Sequence, residues 1–91
     1  MHRIDEIING ILEELESAKR QHPRWPIDPF HALGFLSEEV GEATQAAVDA
    51  AYHRGDPEHV CEELVQAATV IFRFLMNWER YQWKEAYDET D

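Results

Sequence analysis

Two stretches of this sequence carry oxygen-bearing side chains at helical spacing: Glu38-Glu39-Val40-Gly41-Glu42 and Glu62-Glu63-Leu64-Val65-Gln66. In each, a carboxylate is followed three residues later by a second oxygen donor, Glu39 by Glu42 and Glu63 by Gln66. At about 100° per residue, that spacing places both donors on neighbouring parts of one helix face. Glu39 falls among Phe35, Ala43 and Ala46, with Ala32 and Ala50 close by. Glu42 sits at the edge of the same arc, and Glu38 turns toward the polar side. Glu63 groups with Ala67, Val70, Phe74 and Trp78, while Gln66 lies at the edge and Arg73 and Asn77 continue its stripe. A carboxylate in apolar surroundings protonates or finds a partner. Three acids and an amide with little basic company make a poor ion-pair network but a good site for a hard cation. Magnesium prefers oxygen ligands and keeps some of its own waters. Either pair alone also reads as surface decoration. Both pairs on the inward faces of adjacent helices point to a metal.

The elements that must position these residues follow from periodicity and punctuation. Ile4, Ile7, Ile8, Ile11, Leu12, Leu15 and Ala18 form one stripe, which predicts a first helix over about 4–20. Lys19 and Arg20 at its end complement the helix dipole. His22 to Pro29 holds three prolines and predicts a stiff loop. Asp28-Pro29 reads as an N-cap followed by proline at the first helical position, opening a second helix over about 29–53. Gly55 suits a C-terminal cap, and Asp56-Pro57 repeats the start signal for a third helix over about 57–83. The acidic end, 85–91, is expected to fray. The expected fold is an all-α antiparallel helical bundle in a single domain, 1–91. Three helices need further cover, from a C-terminal turn or from another copy, so a homodimer or homotetramer is expected.

Composition narrows the function. The chain has 91 residues, room for one domain. Its formal net charge of −11, from 19 acids against 8 bases, repels nucleic-acid backbones and disfavours DNA or RNA binding. Cys61 stands alone, which excludes a disulfide framework or a cysteine-based metal site. The charged N-terminus is unlike a signal peptide, and no apolar run is long enough to span a bilayer. A cytoplasmic location without membrane contact is the expectation.

The first acidic run, with Ser37 before it and Ala43 after it, resembles the EExxE motif of MazG-like all-α nucleoside triphosphate pyrophosphohydrolases. The second resembles their ExxD motif, with Glu63 as its acid and Gln66 where Asp is usual. The loop with Pro23, Trp25 and Pro26 is similar to that of short members, and the resemblance spans roughly 22–77. It implies cleavage of a nucleoside triphosphate to a monophosphate and pyrophosphate. It also implies magnesium, for which manganese could substitute, held by Glu39, Glu42, Glu63 and Gln66. Glu38, beside the ligands but rotated outward, is the candidate for orienting or deprotonating the attacking water. Gln66 can coordinate through its carbonyl oxygen but brings no charge, so metal affinity and activity should be weakened. Three further residues have two readings each. Arg73 contacts a phosphate or pairs with an acid on the helix surface. Asn77 bonds phosphate or base, or makes an interhelical hydrogen bond. Trp25 stacks on a base or packs over the bundle end.

Rival chemistries fit less well. A di-iron bundle needs Glu-x-x-His pairs, whereas Gln45 and Gln66 follow Glu42 and Glu63. His22, His31, His53 and His59 lack a spacing that would converge them on zinc. A non-catalytic relative that binds a nucleotide, and a purely helical interaction module, remain as alternatives.

Overall fold

The computed structural model describes residues 3–83. Three helices, α1 (Ile4–Gln21), α2 (Pro29–Tyr52) and α3 (Glu58–Met76), are followed by a 3₁₀ turn at Trp78–Arg80. Among the described residues there is no strand, and no helix is long and apolar enough to cross a membrane. The expected acidic end, 85–91, lies outside the described residues.

The α3 helix is central. It packs against α2 and α1, whereas α1 and α2 meet little. The α2 helix runs antiparallel to it, with Leu33 and Leu36 beside Phe74 and Leu75 at one end and Ala46 and Asp49 beside His59 at the other. The α1 helix runs parallel to α3, with Ile7 near Cys61 and the Ala18 carbonyl near Arg73. Small residues make the close approach between α2 and α3 possible: Ala32, Ala43, Ala46 and Ala67 are all buried.

The helix starts match their sequence signals. Asp28 accepts a hydrogen bond from the Phe30 N–H at 2.9 Å, with Pro29 at the first helical position. Asp56 accepts likewise from the Glu58 N–H at 3.0 Å. The ends differ from expectation at two points. Arg54, not Gly55, adopts the left-handed conformation after α2, with φ 63°. Gly55 serves close approach instead. Its N–H donates to the Asp49 carbonyl at 2.8 Å, and a Cβ there would lie 3.1 Å from the Asp49 backbone.

The third helix stops at Met76, short of the expected 83. The apolar periodicity runs on through Trp78, but Asn77 ends the helix by local hydrogen bonding, as a short amide side chain can. Its side-chain amide donates to the Arg73 carbonyl at 2.8 Å, and its side-chain oxygen accepts from Arg80 at 2.7 Å. The chain then turns back, and the Gln82 N–H donates to the Ile27 carbonyl at 3.0 Å.

This return builds the aromatic core. Trp25, Ala32 and Tyr81 are buried, with Phe35, Val70, Phe74 and Trp83 packed around them. The Trp25 indole N–H donates to the Tyr81 hydroxyl at 2.7 Å, and that hydroxyl donates to the Phe74 carbonyl at 2.9 Å. Tyr81→Phe therefore leaves a buried indole N–H without an acceptor, and the expected loss is about 2 kcal/mol of unfolding free energy. Urea titration followed by tryptophan fluorescence measures it. An unchanged midpoint would mean that the hydroxyl contributes nothing to holding the return.

Candidate functional site

The antiparallel packing of α2 on α3 brings the two acidic runs together. One carboxylate oxygen from each of Glu39, Glu42 and Glu63 lies within 4.8 Å of the others. Glu39 and Glu63 are half-buried, and Glu42 is exposed. Glu39 Oε1 is buried without a hydrogen-bond partner. Buried polar atoms are nearly always satisfied, so an orphan carboxylate oxygen calls for an explanation.

Electrostatics sharpen the point. Burial pushes the Glu39 carboxyl above its usual range, and the charges of Glu42 and Glu63 push it further. Glu63 is raised too, first by burial and then by its hydrogen bond with Glu42 and the Glu42 charge; His59 opposes this. Without a cation, the crowding of the carboxylates adds to burial in raising Glu39 and Glu63. A divalent cation among them would reverse the balance, and the all-oxygen donor set suits a hard ion such as magnesium.

A cleft of about 580 Å³ opens beside the triad. Glu38, Glu39 and Gln66 line one end, and Trp25, Phe35 and Arg73 line the other. Gln66 thus faces the same space as Glu39, and Glu38 lies exposed on the rim. The cleft brings seven of the eight sequence candidates to one region, counting the triad members that adjoin it.

Asn77 is the exception. It is not among the residues lining the cleft, and its side chain is engaged in ending α3. Arg73 does line the cleft, but it is not the surface arginine paired with an acid that was one of its two readings. It is only 7% exposed, and its guanidinium donates to the Ala18 carbonyl at 3.3 Å and to the His22 carbonyl. It also lies 4.8 Å over the Trp25 ring. Among the described residues no carboxylate pairs with it, and burial lowers its pKa. Arg73 caps the end of α1 and clamps it to α3, as a cation at a helix C-terminus does. Trp25 takes the packing role expected of it. It packs at the end of the bundle, with Phe35 edge-on at 5.5 Å, and it walls the cleft.

One neighbour was not anticipated. His59 Nδ1 lies 3.0 Å from Glu62 Oε1, and its Nε2 lies 3.6 Å from Glu63 Oε1. Its pKa is raised, chiefly by the hydrogen bond to Glu62. The spacing of three and four residues ahead of two acids was the available signal. His59 competes with any cation for Glu63, and Glu62 is turned toward the imidazole.

No family model, curated protein or solved structure matches this chain.

The raised carboxyls set a pH dependence. A group whose pKa is higher folded than unfolded favours folding below the unfolded value and loses that contribution as pH rises through the folded one. In chelator, Glu39→Gln should therefore be more stable than the natural chain near neutrality. The gap should close as pH falls from about 7 to about 4, the ordinary carboxylate range. Urea midpoints across that range test this, and a gap that does not vary with pH would contradict it.

Proposed function

We propose that this chain is a magnesium-dependent nucleotide pyrophosphohydrolase that converts a nucleoside triphosphate to a monophosphate and pyrophosphate. The observation that carries the reading is the triad of Glu39, Glu42 and Glu63 around an unpartnered, buried carboxylate oxygen. The resemblance of the two acidic runs to the EExxE and ExxD motifs of MazG-like enzymes supplies the reaction class.

Glu39, Glu42 and Glu63 would hold the cation, with the Gln66 carbonyl oxygen as a fourth, uncharged donor. When bound, the ion neutralises phosphate charge and lowers the pKa of a coordinated water. Glu38, on the rim beside Glu39, would orient an attacking water and accept its proton. The water oxygen bonds to the α-phosphorus, the bond from that phosphorus to the bridging oxygen breaks, and pyrophosphate leaves. Trp25 and Phe35 give the far end of the cleft an apolar wall suited to a base. Arg73 acts from beneath that wall. Its hydrogen bonds to Ala18 and His22 fix the wall, and its charge offsets part of the acidic surface facing an anionic substrate.

A second reading, nucleotide binding without turnover, is favoured by the neutral Gln66 and by the engagement of Arg73 with carbonyls. The two readings separate on pyrophosphate release from a panel of canonical and modified triphosphates, with magnesium and with chelator. The enzyme reading predicts release that requires the metal and falls at least ~100-fold in Glu39→Gln or Glu63→Gln, a loss of about 3 kcal/mol of transition-state stabilisation. Gln66→Asp should bind magnesium more tightly. Release indifferent to Glu39→Gln would remove the assignment, and binding with no release would leave the second reading.

A further inference from the structure

The cleft holds two charged side chains that the acidic site does not use. Glu14, on α1, and Arg24, in the loop between α1 and α2, both line it. Glu14 is half-buried and Arg24 is exposed. Among the described residues neither makes an ion pair, and they do not pair with each other. Opposite charges that share a cleft yet stand apart leave a gap with donors on one side and acceptors on the other.

Both groups lie beside the apolar wall. Arg24 directly precedes Trp25, which is buried and whose indole N–H is held by Tyr81. Pro23 and Pro26 stiffen the loop on either side, so the Arg24 backbone is fixed while its guanidinium stays unengaged. Glu14 lies one helical turn before Ala18. The Ala18 carbonyl accepts from Arg73, whose guanidinium lies 4.8 Å over the Trp25 ring. Arg73 itself is spent on carbonyls beneath the wall, which leaves Arg24 to meet whatever the cleft holds.

The chemistry of the two side chains selects a base. A guanidinium only donates, and an ionised carboxylate only accepts. A guanidinium forks onto O6 and N7 of guanine, whereas adenine sets an amino donor where guanine has O6. The next edge of guanine offers N1–H and a 2-amino N–H, a pair of donors matched to one carboxylate. Adenine has a bare N1 acceptor there, and a pyrimidine does not offer a donor pair and an acceptor pair at once.

We propose that the cleft selects guanine nucleotides, with Arg24 donating to O6 and N7 and Glu14 accepting from N1–H and the 2-amino group. The proposal rests on the reading that a nucleotide occupies this cleft with its base against Trp25 and Phe35.

Calorimetry with magnesium and the α,β-methylene analogues of guanosine and adenosine triphosphate, in which the bond at issue cannot be hydrolysed, tests it. The natural chain should bind the guanine analogue at least ~10-fold more tightly, the discrimination one forked pair supplies. Arg24→Gln should reverse the preference, because an amide forks onto N6 and N7 of adenine. Glu14→Gln should weaken guanine binding and leave adenine binding unchanged, and helical circular dichroism checks that both variants are folded. Equal affinity for the two bases in the natural chain, or binding of neither, would overturn the proposal. Arg24→Gln weakening both analogues alike would overturn it too, and would move Arg24 to the phosphates. Pyrophosphate release from guanosine and adenosine triphosphate, measured alongside, separates the proposal from the reading beneath it. Release without base preference removes the guanine selection and keeps the enzyme. Guanine-selective binding without release does the reverse.

Discussion

The site depends on mutual repulsion held in place by packing. Ala32, Ala43, Ala46 and Ala67 let α2 and α3 approach closely, and that approach forces carboxylates from both helices within 4.8 Å of one another. Like charges so placed weaken the fold unless something positive joins them. The raised pKa values of Glu39 and Glu63 reflect their burial first and this repulsion second, and the bare Glu39 oxygen marks where relief would be sought. His59 offers Glu63 partial relief from the surface, but it reaches only one member of the triad.

The bundle is tied together at the end where Trp25 packs. There Trp25, Tyr81 and Arg73 tie the loop after α1, the segment after α3 and the last turn of α1 into one knot. The knot also forms the apolar wall of the cleft, so the same side chains that anchor the bundle shape the space beside the acids. Stability and site geometry are thereby coupled. A change at Tyr81 alters the wall as well as the core.

Much of this was legible in the residues. The caps at Asp28 and Asp56, the stiff loop between helices, and the inward pairing of Glu39 with Glu63 all follow from spacing and local chemistry. What was hidden has physical reasons. The end of α3 was set by Asn77, whose amide competes with the helix for backbone partners in a way that apolar periodicity does not reveal. Arg73 read as a phosphate contact or as a surface arginine paired with an acid, because its actual partners, the carbonyls of Ala18 and His22 at the end of α1, lie 55 and 51 residues away in sequence. Arg54 took the left-handed position expected of Gly55 because the glycine was needed where the chain passes close to Asp49. Among the described residues only part of the α1 stripe is covered, Ile11 and Leu15, because α1 rests mainly on α3.

The most direct test of the central claim is crystallographic. Crystals grown with manganese, measured for anomalous scattering, should show one strong peak between α2 and α3, bonded to oxygens of Glu39, Glu42 and Glu63. Distances near those of other hard six-coordinate ions, about 2.1 Å, are expected. Anomalous density absent from that position, with the three carboxylates separated or hydrogen-bonded to one another through protons, would contradict the account.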